Sequence, residues 1–208
     1  MNEFAEIHPA IIERLRNMAM LSDDEIRGTL MYFEKRCVRR KDYILRAGEI
    51  CRMRSYINKG CFRRYIIDDH GKEVILNFGL EEWWVGDLDS FQNHKPSIYY
   101  VQALEDSEVL CLNEQNLDRL YEAIPKFRAF DDKKIENSHF AMLKRLALMQ
   151  SASPEEKYKA VLEQYPQLFQ RIPLHYIASY LGIQPESLSR LRKRLCQKKE
   201  NLNQSQDF

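Results

Sequence analysis

The chain has 208 residues, 44% of them hydrophobic, and a formal net charge of +1. That length suits one large domain or two small ones, and the apolar content excludes a chain that is disordered by composition. No apolar run approaches the roughly 20 residues needed to span a bilayer, and the first residues, MNEFAEIHPAIIERL, lack the basic start and unbroken apolar stretch of a secretory signal, so a cytoplasmic protein is expected.

In chain order, residues 9–36 read as helical. Pro9 fits a first turn, Ile11, Ile12, Leu15, Met18 and Met20 recur at helical spacing, and Ser22 with Glu25 forms a capping box for a second helix bearing Ile26, Leu30 and Phe33. From about 38 to 113 the texture changes to short runs of β-branched and aromatic residues, among them Tyr43-Ile44-Leu45, Arg64-Tyr65-Ile66-Ile67, Val74-Ile75-Leu76-Asn77-Phe78 and Val109-Leu110-Cys111-Leu112. Gly48, Gly60, Gly71, Gly79 and Gly86 punctuate them, which points to a compact antiparallel sandwich or barrel with a hairpin turn at Asp68-Asp69-His70-Gly71. Helical character returns at 114. Residues 126–150 contain neither Gly nor Pro, and Ile135, Met142 and Met149 repeat every seven residues, as a dimer seam or an ordinary packed helix would have it. Ser151-Ala152-Ser153 is a hinge, and Ser153, Pro154 and Glu156 open a further helix.

The segment PLHYIASYLGIQPESLSRLRKRL, residues 173–195, carries the functional reading. Ile177, Leu181, Leu188 and Leu191 are apolar where two short helices would face each other, Ala178 is small where they cross, Gly182 permits a left-handed turn, and Pro185 suits a first helical turn. This is the pattern of a helix-turn-helix whose second helix enters the major groove of double-stranded DNA. Arg190 can fork onto guanine and Glu186 can accept from cytosine. Glu186, Ser189, Arg190 and Lys193 lie on the outer side, Ser187 and Ser189 can bond phosphates or base edges, Gln184 before Pro185 joins the expected DNA-binding set, and Arg192, Arg194, Lys198 and Lys199 can meet phosphates. The charge distribution agrees: residues 171–208 hold 7 Lys/Arg against 3 Asp/Glu, whereas residues 1–170 hold 25 against 28.

With a β-rich region and a long helix ahead of this motif, the chain resembles the CRP/FNR family of bacterial regulators over nearly its whole length. The resemblance rests on Arg46-Ala47-Gly48-Glu49, Asn58-Lys59-Gly60, Gly71-Lys72-Glu73 and Val85-Gly86-Asp87-Leu88. It implies an α+β fold in which N-terminal helices and an antiparallel β-roll of about 38–113 form an effector domain within 1–125. A dimerisation helix at 126–150 and a winged helix-turn-helix domain within 151–208 would follow. It also implies a homodimer, DNA and RNA polymerase as partners, and an effector pocket at Gly86, Asp87, Leu88, Ser97 and Ile98. In nucleotide-binding members a glycine–glutamate pair contacts phosphate and ribose, and an arginine after a proline holds the phosphate charge. Here Asp87 stands for the glutamate and Ser97 follows Pro96, so the pocket is not expected to suit cyclic AMP, and any small-molecule effector is of another kind. Pro185 also replaces an arginine of the best-known recognition helices, so the preferred DNA site is expected to differ.

No cofactor is evident. The five cysteines form no C-x-x-C pair, none precedes Cys37, and His8, His70, His94, His139 and His175 have no ligand spacing. Neither G-x-S-x-G, a Walker loop, H-E-x-x-H nor G-x-G-x-x-G occurs, so an enzyme is not expected. The alternatives are a regulator that holds a cyclic nucleotide by Arg63 or Arg64, and an effector module that does not touch DNA.

Overall fold

The structure, a computed structural model, describes residues 9–204, with side chains for residues 11–195 and 197. Helix α1 (Pro9–Asn17) buries Ile11 and Leu15, which lie on one face because they are four apart. Helix α2 (Asp23–Leu30) opens with the expected capping box: Ser22 Oγ accepts from Glu25 N at 3.2 Å, and Glu25 Oε2 accepts from Ser22 N at 2.7 Å. The helical reading to residue 36 overran. Strand β1 (Glu34–Val38) occupies its end and pairs antiparallel with β8 (Ser107–Asn113). Four of the five β1 residues are exposed. An edge strand that carries charge instead of alternating apolar residues is protected against further pairing, and for the same reason does not look like a strand in sequence.

Between β1 and β8 run β2 (Tyr43–Leu45), β3 (Met53–Lys59), β4 (Phe62–Ile67), β5 (Glu73–Gly79), β6 (Trp84–Val85) and β7 (Tyr100–Ala103). They form two four-stranded sheets, β1-β8-β3-β6 and β2-β7-β4-β5. Ile57 and Val109 from the first sheet and Phe62 and Val101 from the second are fully buried in one cluster, which Leu15 and Ile26 join from the two helices. The hairpin between β4 and β5 turns where expected. Asp68 Oδ1 accepts from His70 N at 3.0 Å and Lys72 N at 2.9 Å, and Gly71 takes φ +77°.

A short helix, α3 (Leu88–Asn93), interrupts the strands, and α4 (Glu114–Ala123) follows β8 with Asn113 as its cap. Helix α5 (Pro125–Ser151) is then continuous for 27 residues. Its first turns are fastened to the sheet by a buried polar cluster. Arg54 of β3 makes two hydrogen bonds to Asp131, one at 2.8 Å, and Tyr121 Oη donates to Asp131 Oδ2 at 2.6 Å. Trp84 completes this region, with the Arg54 guanidinium 4.6 Å above its ring and the Tyr56 ring 5.5 Å away. Both tryptophans pack on the core.

The chain divides into two compact units within α5. The first comprises residues up to 141 except Glu73–Ile75, and the second comprises those three and the chain from Met142. The second unit holds α6 (Pro154–Gln164), capped by a Ser153–Glu156 box, then α7 (Leu168–Arg171), α8 (Leu174–Leu181) and α9 (Pro185–Gln204). Tyr158, Val161, Leu168, Ile172, Ile177, Leu181, Leu188 and Leu191 form its buried side. The wing that the family resemblance implies has no strands here among the described residues. Helix α9 meets no Gly or Pro after Pro185 and carries the chain on to Gln204.

Candidate nucleic-acid interface and effector pocket

Helices α8 and α9 meet at the turn that the sequence places there. Gly182 has φ +67° and ψ +33°, the left-handed conformation, and Ile183 N donates to Ala178 O at 3.0 Å to close the helix end. Leu188 N donates to Gln184 O at 3.0 Å and begins the second helix. Ala178, Leu181 and Leu188 have no exposed surface, and Leu191 is 6% exposed. Burying that stripe leaves Gln184, Glu186, Ser189, Arg190 and Lys193 on the open side, with Ser187 and Arg192 half-buried at its margins. Arg190 Nη2 donates to Ser187 Oγ at 3.4 Å, one turn back, a long contact that leaves the guanidinium available. Arg194, with its side chain 67% exposed, pairs with Glu155 of α6 at 2.7 Å. The Lys198 and Lys199 side chains lie outside the described residues.

The expected effector pocket is brought together only in part. Gly86, Asp87 and Ser97 meet at the start of α3, Leu88 is half-buried, and Ile98 is 65% exposed. Asp87 caps α3, accepting from Ser90 N at 3.3 Å. Its other oxygen accepts from Ser97 Oγ at 2.7 Å, and Ser97 Oγ in turn accepts from Tyr99 N at 3.0 Å. The Ser97 backbone is tied to the loop before β3, through Ser97 N to Glu49 O at 2.9 Å and Gly48 N to Ser97 O at 2.8 Å. Asp87 and Ser97 are 7% and 3% exposed. They satisfy each other, so both polar side chains are spent on the loop itself.

Arg63 and Arg64, read in sequence as strand residues with no settled role, go to opposite faces of β4. Arg63 is 3% exposed, donates from Nε to Gln102 Oε1 at 2.9 Å and lies 4.2 Å over the Tyr65 ring. Arg64 shares its face with the fully buried Phe62 and lies opposite Val101 of β7. It reaches Asn77 Oδ1 at 2.8 Å and Gly86 O at 3.2 Å, with the Tyr99 ring 5.0 Å away. Sequence reasoning missed the inward turn of Arg64 because the signal lies in strand register. It also missed the cap role of Asp87, for which Asp87 followed by Ser90 was a readable cue.

Residues 35–123 match the model of the cyclic nucleotide-binding domain family. Among solved structures, the chain is similar to the catabolite activator protein of Thermus thermophilus (20% identity, 86% of this chain and 85% of that one, TM-score 0.55). It is also similar to the global regulator CLP of Xanthomonas campestris (13%, 86% and 93%, 0.69) and to FixK2 of Bradyrhizobium japonicum (15%, 80% and 86%, 0.65). No curated protein matches the chain in sequence. The chain thus has the fold of the CRP/FNR regulators, with a cyclic nucleotide-binding-type domain and a C-terminal helical region consistent with a helix-turn-helix. Among the described residues no helix is long and apolar enough to cross a membrane.

Proposed function

We propose that this chain is a homodimeric, cytoplasmic transcription regulator that binds double-stranded DNA sequence-specifically through α9, under an effector other than cyclic AMP. In this reading residues 1–125 are the effector domain, 126–150 the dimerisation helix and 151–208 the DNA-binding domain, with RNA polymerase a partner at promoters. One observation carries it: α9 follows a left-handed glycine turn, buries Leu188 and Leu191, and holds Glu186, Ser189, Arg190 and Lys193 on its open side. A helix so placed fits the major groove, which is wide enough to admit it, and its side chains match base edges and phosphates.

Two further features support the reading. Helix α5 leaves Phe140, Met142, Leu143 and Leu146 between 48% and 57% exposed, an apolar stripe at the spacing a second copy of the same helix would cover. Ser97, which stands where the family resemblance places an arginine, donates its hydroxyl to Asp87 and offers a cyclic phosphodiester no positive charge. The fold itself does not dictate the ligand, and CLP is described as responsive to c-di-GMP.

The test is Arg190→Ala against Lys193→Ala in fluorescence-anisotropy titrations on a selected site and on random DNA. Arg190→Ala is expected to cost about 1–3 kcal/mol on the selected site and to relax preference at one base pair. Lys193→Ala is expected to weaken both DNAs alike with a shallower salt slope. Unchanged affinity of Arg190→Ala for the selected site would refute base readout by α9.

A further inference from the structure

A cleft lies between the first sheet and the helices that cover it. Alternation along β3 separates it from the interior of the β-roll. The Ile57 side chain packs against Gly79 of the second sheet, and its neighbour Tyr56 points the other way, toward α1 and α5. The cleft has a volume of about 20 Å³. That is room for one occupant little larger than a water molecule, far short of the roughly 150 Å³ that takes a benzene ring. Its wall keeps exposed surface: Trp84 and Phe130 are half-buried, as are its three charged residues, Arg14, Glu82 and Lys134.

Two polar groups of this cleft lack a partner. Tyr56 is 4% exposed, and its hydroxyl has no hydrogen bond among the described residues, an arrangement that is costly unless something in the cleft accepts from it. The hydroxyl is close enough to Arg14 and Glu82 to feel both charges, so it is directed at the charged side of the cleft. Arg14 and Glu82 neutralise each other in an ion pair. Lys134 is left over. Among the described residues it forms no ion pair; its ammonium stands 5.5 Å from the centre of the Phe130 ring. Burial lowers its pKa, and the Arg14 charge adds to the effect.

We propose that this cleft binds one small monovalent anion of the halide class, held by the Tyr56 hydroxyl and the Lys134 ammonium. The sign follows from two cations against one carboxylate, the single charge from Lys134 being the cation without a counter-charge, and the size from the volume. The hydroxyl donates to such an ion and needs no donor in return, and the apolar walls strengthen both contacts by keeping the local dielectric low. The site lies outside the roll interior and does not depend on the DNA-binding reading.

The experiment is titration of the full chain with bromide, a quencher of tryptophan fluorescence, at constant ionic strength made up with gluconate. Trp84 lines the cleft, so bound bromide is expected to give a saturable quenching component that chloride competes away, whereas bromide that only collides with the protein quenches linearly. The melting temperature is expected to be higher in chloride than in gluconate at equal ionic strength, as linkage requires of a bound ion. Lys134→Met keeps an apolar stem and should weaken bromide at least tenfold. Tyr56→Phe should do the same; it removes a hydroxyl that no other group bonds, and it decides the matter if Lys134→Met does not fold. Linear quenching, a saturable component that chloride leaves unchanged, equal melting in the two salts, or bromide affinity that survives either substitution would each overturn the proposal.

Discussion

Asp131→Ala is expected to destabilise the first unit by about 3–5 kcal/mol, the cost of breaking a buried ion pair by removing one partner. Asp131 has no exposed surface, and its two oxygens receive both Arg54 Nη groups and Tyr121 Oη. Alanine leaves the Arg54 guanidinium, whose own side chain is 9% exposed, with no counter-charge in a region closed by Trp84 and Tyr121. The effect reaches beyond the pair, because this cluster joins β3 to the first turns of α5. Replacing both partners, Arg54→Met with Asp131→Leu, should return stability to within about 1–2 kcal/mol of the native chain, since a buried pair and an apolar pair of similar volume are close in energy. The chain's two tryptophans are Trp83 and Trp84, so urea unfolding followed by their fluorescence reports on this unit. A single-mutant loss below 1 kcal/mol would mean that the cluster does not hold the helix to the sheet.

Leu146→Glu is expected to convert a dimer to a monomer and to lower DNA affinity by about 10²-fold or more. Leu146 is 52% exposed in the single chain, alongside Leu143 at 48% and Met142 at 57%, so the substitution leaves the protomer's own packing alone. In a dimer the same position would lie in the seam between two copies of α5, where a desolvated glutamate is costly. The loss on DNA follows from valency: two linked recognition helices bind with an effective concentration that one lacks, commonly a factor of about 10²–10⁴. Light scattering at tens of micromolar and anisotropy on a full site read the two effects. A variant that stays dimeric would remove α5 as the seam.

The sequence speaks most clearly where local chemistry decides the structure. Gly182, the Ser22–Glu25 and Ser153–Glu156 boxes and the Asp68–Gly71 turn each need particular residue types, and each forms where it was read. It says least where the outcome depends on what a segment lies against. Glu34–Val38 reads as the end of a helix and becomes an edge strand only because β8 offers it a ladder. Arg63 and Arg64 are adjacent and alike, and pairing with β7 sends them to opposite faces. Ser97 reads as the loss of an arginine. The structure adds that its hydroxyl satisfies Asp87, so the two departures form one bonded pair. Arg194 reads as a phosphate contact, and its pairing with Glu155 of α6 is not legible there, because a partner 39 residues away leaves no mark on the motif itself.

Sequence-specific DNA binding by a symmetric pair of α9 helices is the function proposed for this chain. Selection of bound duplexes from a random pool by the purified full-length protein tests it most directly. An inverted repeat whose half-sites are centred about one helical turn apart, roughly 34 Å, is expected to be enriched, with the enrichment abolished by Leu146→Glu and its base preference relaxed at one position per half-site by Arg190→Ala. Recovery of a pool with no enriched sequence, or of a single unrepeated site bound equally by Leu146→Glu, would contradict it.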